Sequence, residues 1–254
     1  ITGGSRGIGE MIAAGFLANG VKVYITARKE APLMEKAKEL SEKFEGECIA
    51  IPCDLSNMEG IQKLASDYLN YEESLDILVN NAGAAWGEPY ENFSEKGWDK
   101  VMDTNVKSMF FLTRDLTPAL VKNASDDEPS RVINIGSIDG INVPIFETFS
   151  YSASKAAVHH LTRALASKLV RENVLVVNDP FWVRNYPEKI LVLRYPDLIP
   201  PTAIGRNIET FQSFRKEHGD VIVKPLYGNG GAGIFKIGNN DPNLNSLIEL
   251  FHNF

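Results

Sequence analysis

Thr2-Gly-Gly-Ser-Arg-Gly-Ile-Gly9, followed by a helix-patterned run over 10–19 that closes on Gly20, decides how the first part of this chain folds. Glycines at 3, 7 and 9 permit a tight turn that brings backbone close to a ligand, and the N–H groups opening the next helix suit a phosphate. An apolar strand over 21–26 comes next, so the stretch opens a βαβ unit. The same grammar repeats with a charged helix over 31–44, a strand over 48–52, a helix over 58–71 and a strand over 75–79. A helix over 98–121, a turn-rich stretch over 123–130, a strand over 131–135 and a helix over 150–169 complete the series. Strands alternating with helices predict an α/β fold, a doubly wound parallel sheet of Rossmann type. The sheet is expected to be truncated, because the glycine turn stands directly behind Ile1, where several residues of a buried strand are expected.

Composition narrows the function. The chain has 254 residues, 44% of them hydrophobic, and a formal net charge of -7 with a pI near 5.2. An acidic balance argues against nucleic acid or an anionic membrane as a partner, and no apolar run reaches the roughly 20 residues that span a bilayer. A cytoplasmic setting is the expectation. Cys48 and Cys53 have no histidine near them in sequence and read as reduced thiols, so no metal site is expected.

Two groups of residues carry chemistry. Within the glycine turn, Thr2, Gly3, Ser5, Arg6, Gly7, Ile8 and Gly9 are candidate cofactor contacts. Arg6, and Arg28 just past the second strand, suit a 2'-phosphate and therefore NADPH, whereas an NAD site usually offers an acid at that strand end. Asp54-Leu55 follows the third strand, where the carboxylate either accepts from an adenine amino group or caps the next helix. Asn81, Ala82 and Gly83 follow the fourth strand, and their small size lets a cofactor lie near the backbone.

The second group is catalytic. Tyr151 and Lys155 stand four apart on one helical face, so the ammonium favours the ionised phenol and makes tyrosine usable as an acid. Hydride delivery to a ketone leaves charge on oxygen, which needs a hydroxyl to hold it and an acid to protonate it; Ser137 and Tyr151 fit those parts. Asn105 is a candidate for holding a water between Lys155 and solvent. His159 and His160 read as structural, facing elsewhere.

On these residues, namely TGGSRGIG, DL at 54, NNAG at 80, Asn105, INIGS ending at Ser137 and YSASK, the chain over 1–175 resembles a short-chain dehydrogenase/reductase. The stretches TGGSRGIGEMIA, NNAGAAWGEPY and RVINIGSIDGI are similar to 3-oxoacyl reductases of the rhamnolipid-pathway type. The resemblance implies a small-molecule or acyl-thioester carbonyl substrate and NADPH. It assigns Tyr151 as acid/base, Lys155 as tuner of its pKa and ribose contact, Ser137 as oxygen binder and Asn105 as water positioner. It also implies a homo-oligomer built on helices over 106–121 and 150–169.

Beyond residue 173 prolines 180, 187, 196, 200 and 201 crowd a stretch of little periodicity, and a second domain over 176–254 is expected. A helix over 208–218, a strand over 221–224, a glycine loop over 228–233 and a strand over 234–237 make a small α+β pattern rather than more βαβ. NDPFWVRNYPEK, DLIPPT and HGDVIVKPLYGNGGAGIF resemble the middle of a bacterial glutathione synthetase, an ATP-grasp ligase. That resemblance implies ATP and magnesium, with Lys189, Lys224, Gly228, Gly230 and Gly231 as candidate phosphate contacts. Such a ligase also needs a substrate domain and a later half with the adenine strand and acidic magnesium ligands, and neither is present here. The chain reads as two shortened proteins joined near 174–178; a gene fusion, a misassembled sequence and a deliberate chimera share this signature.

Overall fold

A computed structural model describes residues 1–177, 193, 199–226 and 233–252. The chain divides into two compact units, Ile1–Arg184 and Asn185–Phe254.

In the first unit, α1 (Gly7–Ala18) leads to β1 (Val23–Ala27), α2 (Glu30–Phe44), β2 (Cys48–Pro52), α3 (Met58–Tyr71) and β3 (Ile77–Asn80). After these come α4 (Glu95–Met102), α5 (Ser108–Lys122), β4 (Ser130–Asn134), α6 (Phe149–Leu169) and β5 (Val174–Val177). All the pairings are parallel: β1 with β2, β3 with β4, and β4 with β5. Ile1 and Thr2 join the two groups of strands. Thr2 bridges Thr26 in parallel, Thr26 N–H donates to the Ile1 carbonyl at 3.2 Å, and Thr2 N–H donates to the Val79 carbonyl at 2.9 Å. The order across the sheet is therefore β2, β1, Ile1–Thr2, β3, β4, β5, with connections running outward from the middle as in a doubly wound fold. A cavity of about 250 Å³ continues the line of those two residues between β1 and β3, walled by Val23, Ile25, Leu64, Leu78 and Leu112.

Apolar spacing explains the two faces. Ala13 and Leu17 of α1 and Leu33, Ala37 and Leu40 of α2 bury against Val23 and Ile25. Ile61, Leu64 and Tyr68 of α3 and Leu112, Leu116 and Leu120 of α5 bury on the other face with Val132, Val174 and Leu169. In β5, Val174 and Val176 are buried, while Leu175 and Val177 are 40% and 44% exposed.

Several element boundaries differ from expectation. Helix α1 starts at Gly7 rather than residue 10, since its glycines are tolerated in the first turn where the N–H groups have no intrahelical partner. Strand β1 runs from Val23 rather than 21. The expected single helix over 98–121 is two helices separated by a π-turn, Asp103–Lys107, which widens the coil and places Asn105 inward.

The second unit contains α7 (Ile208–His218), β6 (Val221–Val223), β7 (Phe235–Ile237) and α8 (Leu244–His252). β6 and β7 are antiparallel. Val221, Val223, Ile237, Leu244, Leu247 and Ile248 form its core, with Phe211 and Phe214 of α7 packed on it. Among the described residues no helix is long and apolar enough to cross a membrane, and no group of three or more His, Cys, Asp or Glu could hold a metal.

Candidate active site

The glycine turn and α6 both stand at the carboxyl ends of the strands, linked through the turn after β3. Gly3 and Gly7 adopt positive φ of 67° and 59°, conformations that favour glycine. A Cβ on Gly9 would stand 2.3 Å from the Gly3 carbonyl oxygen, so only glycine lets the turn fold back on α1. Arg6 takes the N-cap position without a side-chain cap, which leaves the first N–H groups of α1 facing outward for an anion. The residues present fit a dinucleotide pyrophosphate.

Thr2 is placed differently from a direct cofactor contact. Its buried hydroxyl donates to the Val79 carbonyl and accepts from the N–H groups of Asn81 and Ala82, each at 2.9 Å. The Asn81 amide in turn donates to the carbonyls of Thr2 at 2.8 Å and Gly3 at 3.3 Å. Thr2 and Asn81 thus hold the first and fourth turns together, with Ser5, Ala82 and Gly83 beside them. Ile8, Arg6 and Arg28 are exposed, and neither arginine pairs with an acid among the described residues. Asp54 does not cap α3; Asn57 does, accepting from Gly60 N–H at 2.8 Å. Asp54 instead accepts from its neighbour Ser56 at 3.0 Å, and the Leu55 side chain lies in the core, so only its backbone is available to a base.

On α6, Tyr151 and Lys155 share a face, with the Lys155 nitrogen 5.7 Å from the Tyr151 ring centre. Lys155 is only 6% exposed and donates to the Ile135 carbonyl at 2.7 Å. Burial pulls its pKa down to about 8. Ser137 leaves β4 in extended backbone, and its hydroxyl accepts from Asp139 N–H at 3.2 Å. The turn after it presses on α6: a Cβ on Gly140 would sit 2.6 Å from the Lys155 carbonyl carbon. The structure therefore brings Ser137, Tyr151 and Lys155 together.

Asn105 occupies the site with both ends of its amide engaged. Its oxygen accepts from Ala84 N–H at 2.7 Å, and its nitrogen donates to the Ala84 carbonyl and to Ser154 Oγ, each at 2.9 Å. The side chain ties the turn after β3 to α6. His159 departs from expectation. It is buried, and its Nε2 accepts from Ser137 N–H at 3.4 Å, whereas His160 is exposed. Ser154, Gly140 and His159 were not singled out as site residues; the four-residue spacing from Lys155 was the available signal for His159.

The short chain dehydrogenase family model matches residues 1–178. The chain belongs to that family. The rhamnolipids biosynthesis 3-oxoacyl-(acyl-carrier-protein) reductase of Pseudomonas aeruginosa is 47% identical over 176 residues, which are 69% of this chain and 68% of that protein. Among solved structures, the Pseudomonas aeruginosa RhlG/NADP active-site complex is 46% identical with a TM-score of 0.67, covering 69% of this chain and 68% of that one. A metagenomic short-chain oxidoreductase in complex with NADP is 33% identical with a TM-score of 0.62, covering 68% of this chain and 76% of that one.

The C-terminal part of the chain is similar to a different family. The prokaryotic glutathione synthetase ATP-grasp model matches residues 188–254. The glutathione synthetase of Brucella melitensis is 49% identical over 94 residues, 37% of this chain, and the chain covers 30% of that protein. Lys224 follows β6 and is exposed. Lys189, Gly228, Gly230 and Gly231 lie outside the described residues.

Proposed function

We propose that the first unit is an NADPH-dependent carbonyl reductase for 3-oxoacyl-type substrates, with Tyr151 as the acid. The observation that carries this reading is the buried ammonium of Lys155 beside the Tyr151 ring, at the same strand end that presents Ser137. NADP is the cofactor in the two similar complexes. Here Arg6 and Arg28 offer exposed cations for its 2'-phosphate, and the turn over 3–9 offers backbone N–H groups for its pyrophosphate. Bound there, the cofactor supplies the hydride.

The chain's own residues do the rest. The Ser137 hydroxyl orients the ketone oxygen, and the Tyr151 phenol passes its proton to that oxygen as charge develops. Lys155 stabilises the phenolate left behind by its nearby positive charge. Asn105 holds the turn carrying Gly83 against α6, which fixes the floor of the site. Between Ser137 and Tyr151, Val143 and Ile145 are 94% and 80% exposed, and Phe149 packs edge-on against Tyr90 and Phe93. An apolar surface beside the reacting carbonyl favours an acyl chain.

The test is the oxidation of NADPH with a 3-oxoacyl thioester. Replacement Tyr151→Phe is expected to lower kcat by about 10²–10⁴-fold, the usual range for a positioned acid. Equal rates in the parent and the variant would overturn the reading.

For the second unit we infer nucleotide phosphate binding without ligation, supported by the exposed Lys224 at the end of β6 within the ATP-grasp match. Calorimetric titration with MgATP is expected to show binding that Lys224→Ala weakens. No heat of binding in the parent chain removes this second reading.

A further inference from the structure

We infer that His159 is the positioning residue for Ser137, its neutral ring holding the Ser137 backbone in place and releasing it on protonation. The inference rests on the reductase reading above. Ser137 stands beyond the end of β4, so its N–H has no ladder partner there. The structure supplies it an acceptor, His159 Nε2 at 3.4 Å, from 22 residues away in sequence. The ring is only 3% exposed. Because Nε2 accepts, the neutral ring carries its proton on Nδ1; the imidazolium has two donors and no acceptor.

The contact therefore exists only while His159 is uncharged. Its surroundings keep it so: burial first, then the positive charges of Lys155 and Arg163, hold its pKa below the usual histidine range. The 135–140 segment that carries Ser137 has one ionisable group, Asp139, and β5 on the same helix has none. The π-turn packed on α6 carries Asp103 and Lys107, which pair with each other at 2.9 Å. On α4, Glu95, Lys96, Asp99 and Lys100 are all exposed to solvent.

Protonation would cost the Ser137 N–H its acceptor and place a second cation one helical turn from Lys155. Ser137 would then no longer hold the ketone oxygen where Tyr151 delivers its proton. Ketone reduction gains an acidic limb from this.

The experiment follows Ser137 amide exchange by NMR across pH 5–8, corrected for intrinsic exchange, in the parent chain and in His159→Gln and His159→Leu. The Gln oxygen accepts a hydrogen bond without titrating; Leu accepts none. In the parent, protection is expected at pH 7.5 and lost as the His159 ring resonances titrate. His159→Gln is expected to stay protected throughout, and His159→Leu to be unprotected throughout. With a ketone substrate, His159→Leu should lower kcat/KM about tenfold, the scale of one lost hydrogen bond. His159→Gln should restore it at neutral pH and abolish the acidic limb. Equal Ser137 protection in the parent and folded His159→Leu overturns the inference; if the Leu variant does not fold, pH-dependent loss of protection in His159→Gln overturns it. The exchange measurement needs no turnover, so a parent chain inactive on ketones would sink the reductase reading and leave the His159 result standing by itself.

Discussion

The Lys155 ammonium donates to the main-chain oxygen of Ile135 at 2.7 Å, tying the helix of Tyr151 to the strand end of Ser137. Lysine here is both a charge and a brace, and the two uses pull stability in opposite directions.

Burial lowers the Lys155 pKa from 10.5 to about 8, so its cation is present below that pH and lost above it. Ketone reduction is therefore expected to fall as pH rises through about 8. The unfolded chain binds more protons than the folded one between the two values, so stability rises with pH across that window, and the cost of burying the cation is fully present at pH 7. Lys155→Met should abolish the limb, lower kcat by about 10²–10⁴-fold, and leave the thermal midpoint unchanged or higher. Paired pH–rate profiles and melting curves check both halves.

Gly140→Ala is expected to separate chemistry from binding. Its new methyl would meet the Lys155 backbone at 2.6 Å, a contact relieved only by moving the turn that follows Ser137. Overpacking of this kind costs about 1–3 kcal/mol. A fall in kcat is the expected outcome, with NADPH affinity by fluorescence titration changing less, because the contact is with the Lys155 and Ala156 backbone and not with the glycine turn over 3–9.

Arg28→Glu should reverse cofactor preference. An exposed cation just past β1 meets the extra phosphate of NADPH, and a carboxylate there repels it while suiting a ribose hydroxyl. The ratio of NADPH to NADH affinity is expected to drop by about tenfold or more, corresponding to roughly 1.4 kcal/mol. A ratio unmoved by the substitution would place the phosphate elsewhere.

Asn81→Ala removes two hydrogen bonds that reach back to Thr2 and Gly3. Each is worth about 1 kcal/mol, and the glycine turn loses two of its ties to the turn after β3. Weaker NADPH binding and a lower melting midpoint are expected together, both read from one thermal titration.

Much of this was legible in the chain. Glycines 3, 7 and 9, the alternating elements and the Tyr151/Lys155 spacing are local signals, and local sequence carries them directly. The π-turn was not legible, because one extra residue per turn over Asp103–Lys107 leaves the apolar pattern of a continuous helix nearly intact. Asn105 read as a water holder from sequence; that its amide also ties Ala84 to Ser154 could not be read there. Thr2 read as a cofactor contact, and Asp54 as either an adenine acceptor or a cap for α3; the hydrogen bonds of Thr2 to Asn81 and Ala82, and the capping of α3 by Asn57, are set by the fold. His159 was passed over because the Ser137 N–H it receives belongs to another element.

The buried amides at the ends of β3 and β4 have a further consequence. Asn80 and Asn134 stand opposite each other in register, and Asn80 donates to Asn134 Oδ1 at 2.9 Å and to Thr113 at 3.1 Å, while Asn134 donates to Thr162 at 3.0 Å. Sliding either strand by one residue would turn its amide to the opposite face and away from these partners. Asn81 begins one residue after the first amide and Ser137 three after the second, so a single pair of side chains calibrates where the nucleotide end and the reacting end of the cleft begin, like two scales read against one zero mark.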